Sequence, residues 1–215
     1  MAKPSLSSFP YRLGLLLGLM LCSSPVAAQQ VEPPPDNSPT APLLEESGSL
    51  SPIDANNLFQ EGIQLYLQGT AESLRGAIEK WDEAIPLYRE FGHREMEAAT
   101  LNNIGNVYDS LGEKQKALDY YSRALPIFQA VGDRRGEAAT LNRIGNVYDS
   151  LGEKQKALDY LERALALRQA VGDRAWEART LNNIGTVYNS LGEKQKALDY
   201  LERACVMALC SSVAS

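Results

Sequence analysis

Leu101, Ile104, Gly105 and Tyr108 follow one another at i, i+3, i+4 and i+7, with polar residues between them. That spacing puts the non-polar positions on one face of an α-helix. Gly112 follows, and glycine accepts the left-handed backbone on which helices end. A second stripe runs through Ala117, Tyr121, Ala124, Leu125 and Phe128, which predicts a second helix from about Glu113. Val131-Gly132-Asp133 ends it, with Asp133 placed to cap the free N–H groups of the next helix. The turns are short, so consecutive helices are expected to lie antiparallel. Nothing alternates with period two over a useful length, and no strand is predicted.

The whole pattern then returns at a step of forty residues, from Glu97 to Glu137 and again to Glu177, nearly verbatim. Leu141, Ile144-Gly145, Tyr148, Gly152, Ala157 and Ala164 repeat the first set, and Leu181, Ile184-Gly185, Tyr188, Gly192, Ala197 and Ala204 repeat it again. A diverged earlier copy carries Leu58, Gly62, Leu65 and Gly69 on its first helix and Ala77, Trp81 and Ala84 on its second. About three extra residues fall in its turn, around Thr70–Leu74, and Ser51-Pro52 supplies a cap and a first-turn proline. One such unit cannot bury a core alone, so neighbours must stack to share one. The expected fold is therefore all-α, a right-handed α-solenoid of about four helix-turn-helix repeats. The mid-helix glycines Gly105, Gly145 and Gly185 each cost about 1 kcal/mol relative to alanine. Close helix approach against Ala117, Ala157 and Ala197 is the expected compensation.

The set Leu101, Ile104-Gly105, Tyr108, Gly112, Ala117 and Ala124 resembles the tetratricopeptide repeat, over roughly residues 55–205. Two departures stand out, leucine in place of the usual early tryptophan and a period of forty rather than thirty-four; the longer helices, with Gly-Asp between units, resemble the kinesin-light-chain-type subclass. Similar secreted arrays precede a caspase-like CHAT protease domain in bacterial, especially cyanobacterial, proteins, and Gly69-Thr-Ala-Glu-Ser-Leu-Arg-Gly76 resembles their first repeat. The resemblance implies a concave face lined by the first helix of each pair, holding peptides through polar residues, asparagine prominent among them.

Outside the array the chain reads differently. Residues 1–28 place Lys3 and Arg12 before the non-polar run Leu13–Cys22 and end in Ser23-Ser-Pro-Val-Ala-Ala28, the order of a cleaved signal peptide. The run is short of the ~20 residues a spanning helix needs. Export to the periplasm or the exterior is expected, with a membrane anchor formed by this segment as the second reading. Residues 29–52 are Pro-, Ser- and acid-rich and read as a disordered linker. The remaining divisions are a diverged unit at 53–94, units at 95–134 and 135–174, an incomplete unit at 175–205 and an atypical tail at 206–215.

The formal charge of −6, with no polybasic run, argues against nucleic acid as a partner. The three cysteines, Cys22, Cys205 and Cys210, and one histidine form no zinc cage. Neither a metal nor a cofactor is expected. A protease of the CHAT kind needs a Cys–His pair. His93 falls between the first two units, far along the stack from Cys205 and Cys210, so no catalytic residue and no enzyme activity are expected. Gly-Glu-Lys-Gln-Lys at 112–116, 152–156 and 192–196 lacks the glycine-rich lead and strand of a phosphate loop.

One step round from the core face lie Asn102, Asn106 and Asp109, then Asn142, Asn146 and Asp149, then Asn182, Thr186 and Asn189. Asparagine both donates to and accepts from a peptide backbone, so this ladder is the candidate peptide-binding site. A solvated face copied by duplication is the competing reading. Asn103, Arg143 and Asn183 vary at one register and are candidates for tuning specificity.

The third copy follows the second through Ala204 and then turns to Cys205-Val-Met-Ala-Leu-Cys-Ser-Ser-Val-Ala-Ser215, losing periodicity, charge and the capping glycine together. Solenoid ends are ordinarily polar. Two expectations follow: a truncated or frame-shifted relative of a longer array-plus-protease protein, or a short adaptor whose non-polar end docks on a partner or on itself. The functional expectation is an exported, non-catalytic array that binds peptides or proteins through its concave face.

Overall fold

The structure, a computed structural model, describes residues 51–213, with side chains placed as far as residue 208. The expected signal segment and nearly all of the expected linker lie outside the described residues. Eight α-helices make up what is described: α1 (Pro52–Gln68), α2 (Ala71–Glu90), α3 (Arg94–Ser110), α4 (Lys114–Val131), α5 (Arg134–Ser150), α6 (Lys154–Val171), α7 (Arg174–Ser190) and α8 (Lys194–Val213). No strand occurs among the described residues. Each helix packs on its neighbours in the chain, and beyond that α3 touches α5 and α5 touches α7. Odd helices therefore line an inner face, even helices stand outside them, and the array is a solenoid.

Local chemistry sets the boundaries. Ser51 caps α1 through a reciprocal box with Asp54, and Pro52 occupies the first turn. Gly112 sits at φ 79°, and the next residue, Glu113, donates its N–H back to the Tyr108 carbonyl, closing the helix end. Asp133 Oδ1 accepts from the N–H groups of Arg135 and Gly136, as a cap should. In the first unit the extra residues do not widen the turn. They lengthen α2, which starts at Ala71 behind a second capping box, Thr70 with Ser73. The cap explains the difference: threonine at that position makes a helix start cheaper than a longer loop. α8 continues to Val213, past the point where the sequence repeat fades.

The core runs continuously from unit to unit. Ile78, Trp81 and Ile85 of α2 meet Leu101, Ile104 and Val107 of α3. Leu118 and Tyr121 of α4 meet Ile144 and Val147 of α5, and Leu158, Leu161 and Leu165 of α6 meet Leu181, Ile184 and Val187 of α7. A glutamate recurs at the rim of each junction. Glu97 is buried and accepts from Arg89 and Arg94, Glu137 accepts from Gln129, and Glu177 accepts from Gln169.

The mid-helix glycines have larger partners than the alanines expected for them. A Cβ on Gly105 would come within 2.5 Å of the Tyr121 ring, and one on Gly62 within 2.3 Å of Trp81. At Gly145 and Gly185 the obstacles are Leu161 and Leu201, with the Ala157 and Ala197 carbonyl oxygens next at 3.2 Å. The glycine makes a flat seat for a bulky side chain of its own hairpin. Trp81 uses that seat to donate Nε1–H to the Phe59 carbonyl at 3.0 Å, so it ties α1 to α2 while its ring also belongs to the core shared with α3.

Candidate functional site

Three inner helices, α3, α5 and α7, present the predicted ladder, and the structure separates its members into distinct environments. Asn102 is buried, and its Oδ1 has no hydrogen-bond partner among the described residues. Asn106 is half-buried and accepts from the Tyr121 hydroxyl at 2.8 Å. Asn142 Oδ1 accepts from Asn183 Nδ2 at 3.1 Å, a bond that ties α5 to α7 across the inner face. Asn146 is exposed and its amide makes no hydrogen bond to any described residue, because leucine at 161 replaces the tyrosine that holds Asn106. Asn182 and Asn189 are exposed with free amides, and Thr186 donates its hydroxyl to the Asn182 carbonyl at 3.0 Å.

Asp109 and Asp149 stand apart from the rest. Lys114 Nζ binds Asp109 Oδ1 at 2.6 Å and the Asp109 carbonyl at 3.1 Å, and Lys154 holds Asp149 in the same way at 2.7 and 3.0 Å. Both carboxylates thus neutralise a lysine that sits on a helix C-terminus, an arrangement the helix dipole favours. They fasten the hairpin turn.

One residue at the variable register changes the electrostatics of the face. Arg143 is half-buried, has no carboxylate partner among the described residues, and reaches the Tyr121 hydroxyl with its guanidinium as a hydrogen-bond donor. Burial drives the Tyr121 pKa far above its ordinary value, and Arg143 pulls in the opposite direction. An arginine without a described counter-ion leaves a positive charge on the inner face of α5, on the same helix as Asn142 and Asn146.

The first unit departs from the ladder altogether. At the registers of Asn102, Asn106 and Asp109 it carries Phe59, Ile63 and Tyr66. Tyr66 is exposed and its ring centre lies 6.0 Å from that of Trp81. The inner face therefore runs from an apolar, partly aromatic end on α1 to an amide-bearing end on α7. Aligning the diverged copy position by position carries that signal in the sequence, whereas matching only its core residues does not.

A second periodic feature lies at the edge near the turns. Tyr108 stacks on Tyr120, Tyr148 on Tyr160 and Tyr188 on Tyr200, with ring centres 5.4–5.5 Å apart. Lys116, Lys156 and Lys196 cap the first ring of each pair, and Arg123, Arg163 and Arg203 the second. Each lysine also pairs with a glutamate, Glu113, Glu153 or Glu193. These stacks are internally satisfied and tie the two helices of a hairpin together. Trp176 is partly exposed between the guanidinium groups of Arg168 and Arg179. His93 is exposed at the start of α3, its ring edge-on to Tyr88.

Among the described residues no group of His, Cys, Asp or Glu is arranged to hold a metal ion. No described helix is long and apolar enough to cross a membrane.

The tetratricopeptide repeat model matches this sequence over residues 70–130, 97–170 and 136–208. No curated protein matches it. Among solved structures, BtubC (BKLC) from P. vanneervenii superposes with a TM-score of 0.67 at 26% identity, over 78% of this chain and 68% of that one. The apo form of RapI gives 0.71 at 18% identity, over 78% of this chain and 60% of that one. MamA gives 0.59 at 22% identity, over 75% and 82%. The RapI and MamA matches are likenesses of fold, and the chain spans less than two thirds of RapI.

Proposed function

This chain belongs to the tetratricopeptide-repeat family, and we propose that it is a non-catalytic scaffold holding an extended peptide segment of a partner protein along α3, α5 and α7. Proteins of this fold generally serve protein interactions and generally lack catalysis. The observation that carries the reading is the inner face itself: Arg143 has no carboxylate partner among the described residues, and the exposed amides of Asn146 and Asn182 bond to none of them. Amides of this kind satisfy a peptide backbone without reading its sequence, and the arginine selects a segment that carries a carboxylate. The aromatic end at Phe59, Ile63 and Tyr66 favours an apolar residue on the same segment.

Export belongs to the same proposal, supported by the signal-like order of residues 1–28. The resemblance of Gly69–Gly76 to arrays that precede CHAT proteases supports a recognition role for the array, a role that does not depend on such a domain.

Binding of a peptide library to the full chain, compared with Arg143→Ala and with Asn146→Ala/Asn182→Ala, tests the reading. Acidic peptides should be retained by the native chain, weakened about tenfold or more by Arg143→Ala, and weakened regardless of sequence by the double variant. Equal retention by all three proteins removes the site.

A further inference from the structure

The interior junctions show what the outer side of an even helix requires. Leu158 and Leu161 of α6 are 3% and 0% exposed because α7 lies across them. Their counterparts on α8, Leu198 and Leu201, are 49% and 36% exposed: Leu201 seats against Gly185 of its own hairpin, and no described helix lies across the outer side of either. The thiol of Cys205 is free and exposed beside them. Leu198, Leu201 and Cys205 are spaced three and four apart, which lays them in one stripe along the helix. Next to the stripe, a groove of about 580 Å³ runs between α7 and α8, lined by Ala175, Ala178 and Ala204 among others. In the preceding unit the corresponding groove takes the next helix of the array.

The front of the array is built in the opposite way. α1 carries Glu61 and Gln64 at the registers where α3 has Ile104 and Val107. Both are exposed, and Glu61 pairs with Lys80 at 2.9 Å. Pressing that face onto the rear of another copy would bury a carboxylate and an amide against leucines, which opposes head-to-tail stacking. A rear-to-rear contact has no such conflict. Its rim offers both signs, Arg179 on α7 and Asp199 and Glu202 on α8. A face that meets a copy of itself needs that mixture, because each charge must find its opposite on the same surface.

We infer that the uncovered face of α8 and the α7/α8 groove form the interface of a two-fold homodimer, with α8 of one copy lying along α8 of the other. The inference is independent of the peptide-binding reading. It has a consequence for it all the same, since two grooves in one particle bind a multivalent partner more tightly than one.

Sedimentation velocity of the full chain at tens of micromolar tests the inference. Val206 lies beside Asp199 and Glu202 on the flank of the α8 stripe. A dimer is expected, and Leu198→Glu and, separately, Val206→Glu should each weaken association at least tenfold with the helical circular dichroism unchanged. Both side chains are largely exposed, so neither change threatens the fold. With Cys22 and Cys210 replaced by serine, a short bis-maleimide should join two copies through Cys205. A strict monomer, a dimer that survives both substitutions, or a dimer that Cys205 cannot cross-link overturns the inference. Loss of peptide retention in the Arg143→Ala protein leaves sedimentation unchanged, so the two readings fail separately.

Discussion

The guanidinium of Arg168 lies 5.2 Å from the ring centre of Trp176, across the junction between the third and fourth units. One unit earlier the same two registers hold Phe128 and Gly136, where a Cβ on the glycine would come within 2.5 Å of the phenyl ring. One junction solves its packing with a large ring against no side chain, the next with a cation against an indole. Arg168 is buried, binds Asp173 at 2.9 Å and leaves its Nε without a partner among the described residues. Burial pulls its pKa down and Asp173 opposes the shift.

The two solutions should not mix. Arg168→Phe alone places a ring where Trp176 already fills the space, and overpacking of that kind costs about 1–3 kcal/mol. Arg168→Phe with Trp176→Gly recreates the earlier junction and should recover most of the loss. Urea denaturation of the two singles and the double gives the coupling, expected to be about 1–2 kcal/mol. A coupling of zero would show that the pair packs independently.

Asp109 and Asp149 should prove structural. Asp109→Asn with Asp149→Asn copies what the last unit carries at Asn189, and it removes two part-exposed ion pairs to Lys114 and Lys154. Such pairs are worth about 0–1 kcal/mol each. The expected result is a small drop in melting temperature with peptide retention unchanged. Lost retention at full stability would return both aspartates to the binding face.

Tyr120 gives the array an alkaline limit. Burial first, then the charges of Asp82 and Tyr108, raise its pKa from 10.0 to about 12. A hydroxyl whose pKa is raised by folding contributes stability that is complete below the unfolded value and is lost as pH climbs to the folded one. Stability should therefore decline between about pH 10 and pH 12, with tyrosinate absorbance following the same curve. Tyr120→Phe should make that decline shallower, and an identical decline in the variant would place the cause elsewhere.

The fold was legible because three near-identical copies state the same helical stripe, so each turn glycine and each core position is read three times. The diverged copy was legible in outline, but the helical character of its extra residues depends on the reciprocal bonds of Thr70 and Ser73, which spacing does not announce. The candidate face was only half legible. A repeat shows which positions face inward; it does not show that Tyr121 holds one asparagine while leucine at 161 releases the next. Nor does it show that a lysine five residues on engages each aspartate. Partner choice of that kind is decided by reach and competition among side chains, which is a property of the packed structure.

The contrast between the two ends of the array also fixes the order in which it comes apart. Contacts run almost entirely between chain neighbours, so the stack opens like a zipper from whichever end is less well finished. Glu61 and Gln64 give the front a surface at ease with water, while Leu198 and Leu201 leave the rear exposed to it. In a lone copy α8 should lose its amide protection first and α7 next, with the front units holding longest. Pairing would reverse that gradient, turning the loosest helix of the single chain into the best guarded of two.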